Sequence, residues 1–204
     1  PMYGGSAADD DLSAQWLAFD SDGAHPNGMV LAGFRSPRKV YGELLGGYLP
    51  SGKKGIVTKA QGRTVLEIDG RPAAAVYDEW SGGKLAPALG TNAAVLAETS
   101  FNPLGKVIKK VLGVPIWLLY HPAFVTGPDN GLVLFGEVSV GDELVMMRGS
   151  TESLVQRTSL VVSQALSQRT SQAPLAGGIL IYCGGCVGAI ESRIQEVAVE
   201  FDKA

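Results

Sequence analysis

Apolar positions along the chain recur with two periods, which divide it into strand-like and helix-like stretches. Between residues 14 and 34, "AQWLAFDSDGAHPNGMVLAGF" sets two apolar runs around Asp, Gly, Pro and Asn, predicting a hairpin with a long loop that holds His25. From Gly55 the apolar residues alternate in "GIVTKAQGRTVLEID", so two short strands are expected with Gly62 at their turn. Asp69-Gly70 marks a further turn, Pro72 the first turn of a helix, and Gly82-Gly83 its end. Residues 91–112 are helical in composition but interrupted by "FNPLG", which predicts two short helices with a break at Asn102-Pro103.

Three strand patterns follow at 115–120, 131–138 and 143–148. Ser150 or Thr151 then caps a long amphipathic helix carrying Leu154, Leu160, Val161 and Leu166 at helical spacing. "GGILIYC" (177–183) is apolar, with the pattern of a central strand buried on both faces, and a helix over 188–202 closes the chain. These elements add up to an α/β or α+β fold, a mixed sheet with packed helices closed by a strand–Gly turn–helix unit. No internal repeat, low-complexity tract or heptad seam interrupts it.

Size and charge narrow the classes. With 204 residues, 46% of them hydrophobic, the chain can bury the core of one domain or of two small packed ones. Seventeen basic side chains against 20 acidic ones, with no basic run longer than Arg38-Lys39 or Lys109-Lys110, argue against nucleic acid as a partner. No apolar run approaches the roughly 20 residues a membrane span needs. The opening "PMYGGSAADDD" has neither an initiator methionine nor a signal segment, so the chain is expected to be a fragment of a longer protein. Two cysteines this close cannot staple distant segments, which points to a reducing cytoplasm.

Motifs for hydrolytic, P-loop and zincin chemistry are missing, and the expectation is a protein that is not an enzyme. "SGKKG" (51–55) is expected to be a solvated turn, and Asp9-Asp10-Asp11 a solvated loop or helix start rather than a cation site. The Cys183-Gly184-Gly185-Cys186 turn carries more chemistry. A helix beginning there would favour thiolates, so a redox pair has a physical basis, yet a buried strand-end cysteine and a pocket wall stay open beside it. As a metal corner it supplies only two ligands, with His25 and His121 left to complete the set. His121 ends an apolar strand immediately before Pro122, either as a pocket rim or as a hydrogen-bonded structural group.

The segments "YGGSAADD", "GRTVLEIDGRPAAAVYDEW", "LLYHPAF", "GLVLFGEVSVGDELVMMRGSTESLV" and "GGILIYCGGCVG", in this order, resemble the FIST family of bacterial sensory domains. Residues 1–40 resemble the end of its N-terminal part and 41–204 most of its C-terminal part. The resemblance implies a cytoplasmic signal-input module that binds a small molecule, with amino acids as proposed ligands. Its implied partners are a histidine kinase or a cyclic-di-GMP signalling protein. Some members resemble haem-binding nitric-oxide sensors, and His121 matches the family's His-Pro position.

Two departures stand out. Cys186 occupies the place of a family arginine, for which Arg193 is a partial substitute, and the chain stops where the family continues into another strand. The latter raises a homo-oligomer that completes the pocket. The expected ligand site joins the backbone at Gly4, Gly5 and Ser6 to His121 and Arg193, with the Cys183, Gly184, Gly185 and Cys186 turn presenting N–H donors to a carboxylate.

Overall fold

The structure is a computed structural model that describes residues 2–8, 15–111, 113–171 and 173–203. Asp9, Asp10 and Asp11 lie outside the described residues. Two strands, β1 (Ala18–Asp20) and β2 (Gly23–His25), form a hairpin of their own. Its turn is tight, not the expected long loop, because the Asp20 carboxylate accepts the N–H groups of Asp22 and Gly23 at 2.9 and 3.2 Å. His25 therefore sits on β2, with Nε2 3.1 Å from Asp20 Oδ1.

The main sheet grows from β3 (Leu49–Gln61), long enough to serve two neighbours. Its first half pairs with β11 (Glu143–Arg148) and its second half with β4 (Thr64–Ile68). "SGKKG" is thus part of a strand, held by the β11 ladder. Gly55 lies near the changeover, where a Cβ would come within 2.5 Å of Ile68 Cγ2, so only glycine lets the two strands cross so closely. After β4, β5 (Arg71–Pro72) leads into α1 (Ala73–Ser81), which Gly82 ends in the left-handed conformation at φ 78°. The expected strand, turn, helix and stop all stand.

Residues 91–112 depart from the expected pair of helices. Past β6 (Ala93–Ala94) only α2 (Leu96–Thr99) is helical, and the remainder forms β7 (Leu104–Val111), paired with both β8 (Val114–Tyr120) and β11. Apolar and lysine positions there suit either element, and the two flanking ladders decide for the strand. Pro122 opens a new strand, β9 (Pro122–Thr126), which pairs with β10 (Gly131–Leu134); β10 is shorter than the expected 131–138. The nine-stranded sheet runs β6-β9-β10-β4-β3-β11-β7-β8, with β5 beside β4, giving an α+β fold in which a large antiparallel sheet carries packed helices.

Strand β11 shows why there are two cores. Successive side chains point to opposite faces. Leu144 and Met146 join Tyr77, Leu104 and Leu132 under α1, whereas Val145 and Met147 face Leu154, Val155, Ile190 and Val197 of the C-terminal helices. Those helices are α3 (Thr151–Ser167), α4 (Gly184–Ala189) and α5 (Ile194–Asp202). Ser150 caps α3 as expected, accepting the Ser153 N–H at 3.1 Å while Ser153 Oγ accepts the Ser150 N–H at 2.9 Å. Leu160, however, points outward, and the buried stripe includes Arg157 and Thr158.

The closing unit differs in detail. Residues 177–183 are extended but pair with no strand; Leu180 and Tyr182 pack on the second core while Ile179 and Ile181 stay exposed. The expected helix over 188–202 begins earlier, at Gly184, and is broken by a 3-10 turn at Glu191–Arg193. Among the described residues no helix is long and apolar enough to cross a membrane.

Candidate functional site

Three distant segments meet in the second core. Tyr48 enters it just ahead of β3, His121 forms the one-residue bend between β8 and β9, and Cys183 and Cys186 come from the start of α4. Tyr48 joins them. Its hydroxyl donates to the Ser100 carbonyl at 2.9 Å and lies 3.2 Å from His121 Nε2 and 3.4 Å from Cys186 Sγ. The rings of Tyr48 and His121 meet edge to face, centroids 5.7 Å apart. His121 Nε2 is also 3.2 Å from the Ser100 carbonyl, which calls for the tautomer protonated on Nε2.

Both cysteines are free thiols, and they are not equivalent. Cys186 is 2% exposed and Cys183 open to solvent. The adjoining Cys186 thiol brings Cys183 down to about 5 against burial, helped by the backbone N–H groups of Cys186 and Gly185 and, only where it is protonated, by His121. The same contact, with burial, pushes Cys186 up, so the buried sulfur keeps its proton while the exposed one is a thiolate at neutral pH. Burial also raises Tyr48 and lowers His121, the latter against the pull of Cys183 and the Ser100 carbonyl.

A neutral buried histidine makes stability depend on pH. Its folded pKa lies below 6.5, the ordinary value, so below that pH the unfolded chain binds a proton the folded chain refuses. His121 therefore contributes stability that is full above 6.5 and is lost as pH falls toward the folded value. Urea midpoints measured from about pH 7.5 down to 5 should fall, and fall less steeply in a His121→Gln variant; equal slopes would refute the assignment.

Beside this cluster lies a cavity of about 110 Å³ between residues 43–45, α3 and the extended 180–183 segment. Its wall includes Glu43, Arg157, Thr158, Tyr182 and Cys183. Arg157 is 8% exposed, stacks its guanidinium 4.0 Å over the Tyr182 ring and donates to the Gly46 carbonyl at 2.8 Å. It takes part in none of the ion pairs among the described residues. The neighbouring Thr158 hydroxyl is buried and has no hydrogen-bond partner among the described residues. Native interiors rarely leave such a group unpaired. A second, similarly open pocket of about 220 Å³ at residues 20–30 lacks this character, since its imidazole and carboxylate already pair with each other.

The residues expected at the site are dispersed. His121, Cys183 and Cys186 come together, and Gly184 and Gly185 lie exposed in the turn between the thiols. Gly5 approaches Ile181 at the cavity wall, while Gly4 and Ser6 are exposed on the same segment. Arg193 is engaged elsewhere, with its guanidinium on Glu196 at 2.6 Å and Glu152 at 2.8 Å. Arg157 and Thr158 escaped the sequence reading; two polar residues on the apolar stripe of α3 are the signal that could have found them.

Metal and haem fare less well. Among the described residues no three His, Cys, Asp or Glu side chains converge to hold a metal ion. His121 lines neither cavity, its Nε2 is hydrogen-bonded to the Ser100 carbonyl, and a haem-sized ligand needs a site in the range of about 300–1,000 Å³. The residues present do not fit a haem. Residues 1–71 match the FIST N domain and residues 73–204 the FIST C domain. No curated protein and no solved structure matches the chain.

Proposed function

Since this chain belongs to the FIST family, whose domains are sensory modules of signal transduction, we propose that it senses a small zwitterionic ligand, an α-amino acid or a close analogue, in the cavity beside α3. The observation that carries this reading is the pair of adjacent buried groups without partners of their kind. Among the described residues Arg157 meets no carboxylate and the Thr158 hydroxyl has no hydrogen bond; a ligand carboxylate supplies the first, and the second once the Thr158 side chain turns its sealed hydroxyl toward the cavity. Glu43 and the Cys183 thiolate on the same wall complement an ammonium group. The volume favours small side chains, because about 110 Å³ equals the liquid share of on the order of four waters. Backbone groups of the Gly4–Ser6 segment, next to Ile181, are proposed to close the site. Ligand occupancy would then be passed to a kinase or cyclic-di-GMP partner in the cytoplasm.

Thr158→Val tests the reading twice. Without ligand it should stabilise the protein by about 1 kcal/mol, because an unsatisfied buried hydroxyl is replaced by a methyl group of the same shape. With ligand it should bind less tightly. Among the twenty amino acids at least one small one should raise the melting temperature of the parent, by the equivalent of about 2.7 kcal/mol at a hundredfold excess over Kd. No shift with any of them, or a Thr158→Val variant that binds as the parent does, would sink the proposal.

A further inference from the structure

We propose that Cys183 and Cys186 are a peroxide-responsive dithiol, in which the exposed thiol reacts first and the buried one resolves the product to a disulfide. This goes beyond ligand sensing and needs no ligand in the cavity. Three observations carry it. First, the sulfurs are neighbours. Cys183 stands at the N-cap position of α4 and Cys186 three residues on in its first turn, a spacing that brings the two side chains to one side of the helix start. The Cys183 sulfur folds back over Gly185, lying 3.9 Å from where a Cβ would stand, and neither Gly184 nor Gly185 puts a side chain between the thiols.

Second, the pair is asymmetric in access. An attacking thiol has to meet its oxidant and a resolving thiol has to be kept from it, which is the arrangement of exposed Cys183 and buried Cys186. Third, the surroundings fix which sulfur is charged. Cys183 is faced by His121 from the sheet, by the backbone N–H groups of Gly185 and Cys186 from α4, and by the Cys186 thiol. Cys186 is faced by the Tyr48 hydroxyl at 3.4 Å and by the charge of Arg157 from α3. A structural cysteine needs none of this, and the hydrophobic contacts of Cys186 with the second core explain its burial but not the thiol beside it.

The Cys183 thiolate attacks one oxygen of hydrogen peroxide, an S–O bond forms, the O–O bond breaks and hydroxide leaves, giving a sulfenic acid. The Cys186 sulfur then attacks the Cys183 sulfur, the S–S bond forms and the S–O bond breaks; the departing oxygen takes the Cys186 proton and the sulfenic proton away as water. Two thiol sulfurs lose two electrons and the peroxide gains them. A dithiol reductant reverses the change by exchange. Forming a bond of about 2.05 Å draws the sulfurs together. Cys183 lines the ligand cavity and Cys186 touches Tyr48, so oxidation alters the cavity wall or the Tyr48 contact.

The test is to treat the reduced full chain with hydrogen peroxide without ligand, alkylate the remaining thiols and measure the intact mass. The parent should lose two hydrogens and both alkylation sites, and regain them with dithiothreitol. Cys186→Ser should stop at a sulfenic acid on residue 183 that dimedone traps, and Cys183→Ser should leave Cys186 unoxidised. Two thiols still fully alkylated in the parent, sulfinic acid without disulfide, or a first adduct on Cys186 would each overturn the proposal. Amino-acid binding measured separately tells its failure from that of the sensing reading.

Discussion

Iodoacetamide should alkylate Cys183 in the folded protein at a rate that is nearly constant from about pH 6.5 to 9 and falls away only around pH 5. In the urea-unfolded chain the same thiol should react in proportion to pH, rising about tenfold per unit until near 9, the ordinary value. Between about pH 5 and 8 the unfolded profile thus climbs on the order of a thousandfold while the folded one changes about twofold. The absolute rate at neutral pH is a poorer guide. Lowering the thiol by about four units raises its thiolate fraction at pH 7 by about a hundredfold. Nucleophilicity falls with basicity at a slope of about 0.4–0.5, which removes on the order of 40- to 100-fold. The two nearly cancel. A folded profile that tracks the unfolded one would show that Cys183 is protonated like any exposed thiol and would remove the basis for its role as the attacking group.

The same shift links the thiol to stability, and the sign is opposite to that of a group gaining a proton on folding. Between about 5 and 9 the unfolded chain holds a proton on Cys183 that the folded chain has released, so this contribution is full above 9 and is lost as pH falls toward 5. It acts in the same direction as His121 but starts from higher pH, so Cys183→Ser and His121→Gln should flatten different parts of the profile.

Tyr48→Ala should be the most destabilising single change at the site, lowering the unfolding free energy by about 3–5 kcal/mol in urea titrations. Its ring is 8% exposed in the second core, and its loss leaves a large cavity. The hydroxyl adds a smaller, separable effect. Tyr48→Phe keeps the packing and removes the hydrogen bond to the Ser100 carbonyl and the contacts at 3.2 Å to His121 and 3.4 Å to Cys186, which should cost about 1–3 kcal/mol. A double-mutant cycle of Tyr48→Phe with Cys186→Ala reads the Tyr48–Cys186 coupling directly. A loss below about 0.5 kcal/mol for Tyr48→Phe would show that the hydroxyl holds the two segments together no better than water does.

Local signals determined the parts of this protein whose partners are near in sequence. The β3–β4 turn was legible because Gly62 sits between alternating runs and takes a positive φ of 58°. Helix α1 was legible from Pro72 and Gly82, and the start of α3 from Ser150, since each of these residues does its work within one turn of the backbone. The thiol pair could be read for the same reason: its spacing is itself the chemistry.

Tertiary structure decided the rest. Residues 104–111 became a strand because the β8 ladder runs along their whole length and β11 pairs with Leu104 and Gly105 on the other side, and composition alone carries no information about those ladders. Residues 177–183 remained outside the sheet because Leu180 and Tyr182 find apolar cover on the second core. Tyr48 reaches Cys186 across 138 residues and His121 across 73, and no periodicity spans such distances. Arg157, in no ion pair, and Thr158, whose hydroxyl has no hydrogen-bond partner among the described residues, likewise acquire their meaning only from burial, because a polar side chain in a helix is ordinary until packing removes its water. The sequence determined which groups this protein carries; long-range packing alone decided which of them are desolvated together, and desolvation sets both the charge of the thiols and the character of the cavity wall.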